Sequence, residues 1–87
     1  MNFNHMKLTI YSKSGCPYCE KIKTISSYLE EQRGFSVVIY DLDTHFNRDQ
    51  FYAEFGVGST FPQVILDDLH IGGCTDSVKY LQENNLL

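Results

Sequence analysis

The distribution of apolar residues along the chain predicts four strands. Residues 7–11 alternate weakly between polar and apolar positions, and residues 35–42 are rich in β-branched and aromatic side chains, so we expect a strand in each. Residues 63–66 and 69–71 are two further apolar runs, separated by a pair of aspartates that is typical of a turn. These last two strands are expected to pair as a hairpin.

Apolar residues recur at helical spacing in three other segments. The first covers residues 19–29 and is expected to end near Gly34, since glycine readily adopts the left-handed conformation of a helix cap. Asn47 and Gln50 resemble a capping pair that opens a short second helix. A third helix is expected over about residues 75–84, after two glycines that interrupt the fourth strand.

The resulting order of elements is βαβαββα, which indicates an α/β fold. The helix between the first two strands is long enough for a crossover, so these strands are expected to run parallel. With 87 residues the chain is long enough for one core only, and we expect a single domain over residues 1–87.

Composition and charge narrow the choice of partners. Seven Lys and Arg residues against eleven Asp and Glu residues give a net charge of −4, which argues against binding to nucleic acid. Residues 1–6 lack the basic start and apolar stretch of a secretory signal, and no run approaches the length of a membrane span. The expectation is a cytoplasmic protein, without membrane contact, that acts as a monomer.

Cys16-Pro17-Tyr18-Cys19 carries the most specific chemistry in the sequence. Two thiols one helical turn apart, at a junction from strand to helix, form a redox dithiol in which unpaired N–H groups and the helix dipole favour the thiolate of Cys16. Pro17 suits the first helical position, which needs no N–H donor. Cys19, on the inward side of the first turn, can then close a disulfide on Cys16.

Two other interpretations of the cysteine pair are weaker. A zinc site needs four ligands, but the remaining candidates are Cys74 and three scattered histidines, His5, His45 and His70, which form no second paired motif. A purely structural disulfide is typical of secreted proteins, and nothing marks this chain as secreted. No metal site is therefore predicted.

Three motifs together resemble those of a dithiol glutaredoxin. They are Lys13-Ser14-Gly15-Cys16-Pro17-Tyr18-Cys19, Thr60-Phe61-Pro62-Gln63-Val64 and Ile71-Gly72-Gly73-Cys74-Thr75-Asp76, in the family's order and at similar separations. The resemblance implies a thioredoxin fold, in which three helices flank a four-stranded mixed sheet. It also implies that glutathione is the co-substrate, with no tightly bound cofactor, and that the catalytic residues are Cys16 and Cys19.

The second motif is expected to bind the cysteinyl part of glutathione. By base rates the Phe61–Pro62 peptide bond would be trans, but the resemblance implies a cis bond that aims the Phe61 backbone at the sulfur atoms. The N–H and C=O groups of Phe61 would then pair with the glutathione backbone. Thr60 precedes them in the same motif.

The third motif is expected to hold the γ-glutamyl group. The pair Gly72-Gly73 can be a plain turn, or its backbone, free of Cβ atoms and followed by a helix start, can offer N–H donors to the γ-glutamyl carboxylate. Thr75 and Asp76 can cap that helix, and the resemblance also gives Asp76 or its neighbours a role toward the ammonium group. Cys74 is a small apolar filler by its context, and its position also matches one where some glutaredoxins carry cysteine.

Two further side chains are expected at the groove. Lys13 can be an ordinary solvated lysine, but three residues before Cys16 its ammonium can favour the thiolate and attract a carboxylate. Tyr18 stands too exposed between the cysteines to be a core residue. One departure concerns the residue that holds the glycine carboxylate, since the family's Gln or Arg falls by spacing on Asp49, which would repel it, with Arg48 or Gln50 as substitutes.

The expected reaction is the reduction of glutathione mixed disulfides and of protein disulfides, and ribonucleotide reductase is one conceivable partner. Two alternatives stay open. A redoxin reduced by thioredoxin reductase has the same fold and cysteine pair, although its relatives usually differ over the segment that here is Ile71 to Asp76. An iron–sulfur carrier would bridge two chains through Cys16 and two glutathiones, but Pro17 and Cys19 differ from the motif typical of such carriers.

Overall fold

The computed structural model describes residues 6–87, and it contains the seven predicted elements in the predicted order. Residues 1–5, which include His5 and most of the segment used to argue against a secretory signal, lie outside the described residues. The strands are β1 (Lys7–Ser12), β2 (Ser36–Asp41), β3 (Gln63–Leu66) and β4 (Leu69–Gly72). The helices are α1 (Pro17–Arg33), α2 (Arg48–Phe55) and α3 (Cys74–Glu83).

The sheet has the strand order β2-β1-β3-β4. Strand β1 pairs with β2 in parallel and with β3 in antiparallel orientation, and β3 pairs with β4 as the predicted hairpin. The sheet is therefore mixed, as expected, and the α/β thioredoxin-type arrangement is confirmed. Since β1 is a central strand, the loop that follows its carboxyl end lies near the middle of the sheet and not beside an outer strand.

The side chains of β1 separate the two layers of helices. Ile10 is fully buried in a core with residues of α1 and α3, including Ile22 and Leu81. The next residue, Tyr11, points to the opposite face because successive side chains of a strand alternate. Its ring contacts Phe55 of α2 at a centroid distance of 5.0 Å. Helix α2 therefore covers the face of the sheet that α1 and α3 leave open.

The helix ends follow the local sequence closely. Gly34 caps α1 with a left-handed φ of 71°, and its N–H donates to the Leu29 carbonyl. Asn47 and Gln50 form a complete capping box at the start of α2, with two hydrogen bonds of 2.8 Å. Both expectations from the sequence are confirmed.

Two boundaries near the third motif differ from the sequence prediction. Strand β4 continues through Gly72 instead of stopping before it, and α3 begins at Cys74, one residue earlier than expected. Gly73 is the residue before the helix, and no side chain caps it. The suggestion that Thr75 or Asp76 caps α3 is wrong, because both residues already lie within the first helical turn.

No helix within residues 6–87 has the length and apolar character needed to cross a bilayer.

Candidate active site

The two cysteines of the first motif stand at the start of α1, joined as a disulfide. Cys16 is the capping residue before the helix, in an extended conformation, and Pro17 occupies the first helical turn. The Cys19 N–H donates to the Cys16 Sγ at 3.2 Å. This N–H is one of the donors that a helix start leaves unpaired, so the fold stabilises negative charge on the Cys16 sulfur.

The two sulfur-bearing residues differ in exposure. Cys19 is completely buried against the core side of α1, whereas 8% of Cys16 is accessible at the surface. The expectation that Cys19 lies on the inward side is thus confirmed in the structure. An incoming thiolate or disulfide can reach only Cys16.

The Phe61–Pro62 peptide bond is cis and lies directly beside Cys16. The Phe61 carbonyl oxygen is 3.8 Å from the Cys16 Sγ. The structure therefore has the bond geometry that the resemblance implied, contrary to the base rate for X-Pro bonds. The contact between Cys16 and Phe61 brings the first and second motifs together in one site.

A groove of about 440 Å³ runs from this loop to the start of α3. Eight of the nine predicted glutathione-binding residues line it, and the exception is Lys13. The eight are Tyr18, Thr60, Phe61, Pro62, Gly73, Cys74, Thr75 and Asp76. Tyr18 is 58% exposed, in agreement with its predicted place at the rim of a groove and not in the core.

The far end of the groove is built by the two glycines of the third motif. Gly72 has a φ of +100°, which favours glycine, and a Cβ atom added to it would lie 3.0 Å from the Asp76 Cβ. Ser77 Oγ donates to the Gly72 carbonyl at 3.2 Å, which ties the strand end to the helix. Since no side chain caps α3, its first N–H groups are left for an anionic ligand.

Two cations stand over the Phe61 ring. Lys13 Nζ is 5.5 Å and the Arg48 guanidinium carbon 5.9 Å from the ring centroid. Phe51 stacks on the same ring with a centroid separation of 4.0 Å. Lys13 is therefore near the site although it does not line the groove, and a pair of positive charges lies beside the exchange centre.

Arg48 is the charged residue of α2 that approaches the Phe61 ring. Asp49, the position that spacing aligns with the family's Gln or Arg, is exposed in the first turn of α2 and is not among the residues that line the groove. Gln50 accepts from the Asn47 N–H in the capping box. Of the two substitutes considered from the sequence, the structure thus favours Arg48.

Two residues that line the groove, Gln63 and His70, are not predicted as site residues from the sequence, whereas Gly72 belongs to the glycine pair expected at the γ-glutamyl end. Gln63 belongs to the second motif without a predicted role, and the sequence places His70 in no cluster of metal-binding or catalytic residues. The pairing of β3 with β4 brings them together, with His70 Nε2 at 2.6 Å from Gln63 Oε1. The signal available in the sequence was the hairpin itself, which predicts that the two strands are neighbours.

The third cysteine is buried beside the groove. Cys74 is 4% exposed, and burial raises the pKa of its thiol, an effect that the charge of Lys21 partly opposes. It is therefore a protonated thiol at neutral pH, which agrees with its interpretation as a small apolar filler. Within residues 6–87, no three His, Cys, Asp or Glu side chains cluster closely enough to bind a metal ion.

Comparison with known proteins identifies the family of the chain. The glutaredoxin family model matches residues 8–71. Over 82 residues the chain is 32% identical to glutaredoxin 1 of Escherichia coli, covering 91% of this chain and 96% of that protein. It is 35% identical over 83 residues to a glutaredoxin of Vibrio cholerae, covering 91% and 94% of the two chains.

Solved structures give the same result. The oxidized glutaredoxin of Escherichia coli superposes with a TM-score of 0.76 at 30% identity, covering 90% of this chain and 95% of that one. A buckwheat glutaredoxin–glutathione complex superposes with a TM-score of 0.71 at 28% identity, covering 91% and 71% of the two chains.

Proposed function

Because the chain belongs to the glutaredoxin family and is a thiol–disulfide oxidoreductase, we propose that glutathione is its electron donor and that glutathione mixed disulfides and protein disulfides are its substrates. The observation that carries this proposal is the place of Cys16. Its sulfur accepts an N–H from the helix start, the residue is 8% exposed whereas Cys19 is fully buried, and the adjacent Phe61 lines a groove that extends to the uncapped start of α3. The glutathione-bound buckwheat relative supports the same donor.

The groove offers a complement to each part of glutathione. The Phe61 backbone, beside the Cys16 sulfur, is proposed to pair with the cysteinyl backbone. The uncapped start of α3 is proposed to receive the γ-glutamyl carboxylate, and Asp76 the ammonium group. Lys13 and Arg48 are proposed to attract the glycine carboxylate, since both carry positive charge over the Phe61 ring.

For a glutathionylated substrate the proposed reaction needs one protein thiolate. The Cys16 thiolate attacks the glutathione sulfur, the substrate leaves as a thiolate that takes up a proton, and Cys16 is left bonded to glutathione. A second glutathione, as its thiolate, attacks the sulfur of the bound glutathione. Glutathione disulfide leaves, and the Cys16 thiolate is restored.

For a protein disulfide the second cysteine is needed as well. Cys16 attacks one substrate sulfur and releases the other as a thiolate, and Cys19 then attacks the Cys16 sulfur to free the substrate. This step closes the Cys16–Cys19 disulfide, the bond present in the structure. Two glutathiones reopen it in turn, and the products are the dithiol and glutathione disulfide.

The test compares Cys16→Ser with Cys19→Ser in two glutathione-driven assays. With a glutathionylated peptide, Cys16→Ser should be inactive and Cys19→Ser should retain a substantial share of the wild-type rate. With a protein disulfide, both variants should be inactive, because only this route needs an internal resolving sulfur. Equal loss in both assays for Cys19→Ser would contradict the proposed division of roles.

The donor is tested separately with the wild-type protein. Turnover supported by NADPH and thioredoxin reductase but insensitive to glutathione would favour the redoxin alternative. Visible absorbance of the purified protein, lost on removal of iron, would favour the iron–sulfur carrier.

We further propose that the reaction takes place in the cytoplasm and that the chain works as a monomer. The cytoplasm holds the glutathione pool that keeps thiols reduced. The physiological substrates, with ribonucleotide reductase among the candidates, can be captured on Cys19→Ser as mixed disulfides with Cys16 and then identified. Size-exclusion chromatography of the reduced protein tests the monomer.

A further inference from the structure

A chain of hydrogen bonds connects β4 with the loop that precedes β3. His70 Nε2 lies 2.6 Å from Gln63 Oε1, and Gln63 Nε2 donates to the Thr60 carbonyl at 2.8 Å. All three residues line the groove beside the cysteine pair. The ring of Phe55 packs against the His70 imidazole at a centroid distance of 5.1 Å.

The direction of each hydrogen bond follows from the chemistry of the amide. The Gln63 NH₂ group is engaged as a donor to Thr60, so its oxygen faces His70 and can only accept. The proton of that bond therefore sits on His70 Nε2. Because Gln63 is only 8% exposed, its amide depends on these two partners.

The chain fixes the orientation of one peptide group. The Thr60 carbonyl and the Phe61 N–H belong to the same planar trans unit, in which the two groups point in opposite directions. Holding the carbonyl toward Gln63 therefore directs the Phe61 N–H away from it. Among the described residues, 6–87, no group accepts a hydrogen bond from this N–H.

We propose that His70 is a positioning residue for substrate binding. Acting through Gln63, it holds the peptide between Thr60 and Phe61 so that the Phe61 N–H is presented to the cysteinyl carbonyl of glutathione. This inference rests on the proposed function, because it concerns the same groove. His70 touches neither sulfur, so its effect belongs to binding and not to the exchange step.

Two substitutions of His70 separate its hydrogen bond from its ring. His70→Phe keeps a ring against Phe55 but removes the donor, whereas His70→Gln keeps an N–H donor at a similar reach and removes the ring. We expect His70→Phe to raise the KM for a glutathionylated peptide about threefold to tenfold, the change expected for loss of one neutral hydrogen bond, with kcat almost unchanged. His70→Gln should restore the KM to near the wild-type value.

A third variant tests the connection through Gln63. The carboxylate of Gln63→Glu can accept from His70 but cannot donate to Thr60, so this variant should raise the KM at least as much as His70→Phe. The double variant His70→Phe/Gln63→Glu should add little further, since both changes break the same chain. Additive effects would show that the two residues act independently and would overturn the inference.

A measurement without substrate distinguishes this inference from the proposed function. In the amide NMR spectrum of the ligand-free protein, the Phe61 resonance should shift in His70→Phe and stay near its wild-type position in His70→Gln. If the wild type does not use glutathione, the proposed function fails. If it does, an unchanged KM and Phe61 resonance in His70→Phe, or equal impairment of the two His70 variants, would overturn the role of His70 alone.

Discussion

Replacing Gly72 by alanine should disturb the end of the groove more than a comparable glycine substitution elsewhere. The backbone φ of Gly72 is +100°, and a Cβ atom there would lie 3.0 Å from the Asp76 Cβ and 3.3 Å from its Oδ2. Gly56 is a matched control, because its φ is +106° but the nearest atom to an added Cβ, Ser59 Oγ, is at 3.6 Å, an ordinary contact. Both variants bear the conformational penalty, and only Gly72→Ala adds a steric overlap.

The expected cost can be estimated from these contacts. A side chain at positive φ costs about 1–3 kcal/mol, of which about 0.4–1 kcal/mol is offset by the lower entropy of the unfolded chain. We therefore expect Gly56→Ala to lower the free energy of unfolding by about 1–2 kcal/mol. Gly72→Ala should lower it by about 1–3 kcal/mol more, because the Asp76 Cβ belongs to α3 and cannot rotate away, so the helix itself must move.

Urea denaturation of the three proteins measures this difference directly. In thermal unfolding each kcal/mol corresponds to about 4–8 °C for a domain of this size. The KM for glutathione should rise in Gly72→Ala alone, since Asp76 and the start of α3 are displaced there. Equal losses of stability in the two variants, within about 0.5 kcal/mol, would refute the assignment of a close contact between Gly72 and Asp76.

Three further outcomes are expected from other parts of the site. Arg48→Gln should raise the KM for glutathione by roughly 1.4-fold to fivefold at low salt, and less at high salt, because one exposed charge pair contributes about 0.2–1 kcal/mol. Asp49→Asn should change the KM less, and the opposite order would show that Asp49 faces the ligand. In the fully reduced protein, iodoacetamide at pH 7 should modify Cys74 far more slowly than Cys16, since burial raises the pKa of the Cys74 thiol, and comparable rates would contradict this. Burial, and after it the charges of Glu54 and Tyr40, raise the pKa of Tyr11 above 10.0, so the unfolded chain loses this proton at a lower pH than the folded protein does. The free energy of unfolding should therefore fall as the pH rises above 10. Tyr11→Phe should weaken that fall in urea denaturation at alkaline pH, and an unchanged pH profile would contradict the role of Tyr11.

Local sequence signals account for most of the fold. The capping box of Asn47 and Gln50 and the left-handed cap at Gly34 are short-range features, whose hydrogen bonds join residues within one or two helical turns. Such features can be predicted from the order of residues alone. The boundaries of α3 and β4 were missed by a single residue, because Gly72 can continue a strand at a φ that other residues rarely adopt.

The site was predictable only where a motif carried it. Cys16 and Cys19 were identified from spacing and helix physics, and the cis bond before Pro62 from the resemblance. Gln63 and His70 were missed because their hydrogen bond depends on the pairing of two strands, which local patterns do not specify at the level of atoms. The choice between Arg48 and Asp49 on α2 poses a similar difficulty, because an error of one residue in the spacing turns a helix by about 100° and so changes which side chain faces the groove.

The central position of β1, between β2 and β3, determines the order in which the cysteine pair and the groove are completed during synthesis. The first 41 residues contain β1, α1 and β2, and therefore both cysteines and a complete parallel unit. The groove needs β3, in which Leu66 pairs with Leu8 of the distant strand β1, and α3, which follows all the other elements in the sequence. Distant pairings of this kind bear the larger cost of loop closure and form late. A ribosome-bound chain thus carries both cysteines before the groove beside them can form.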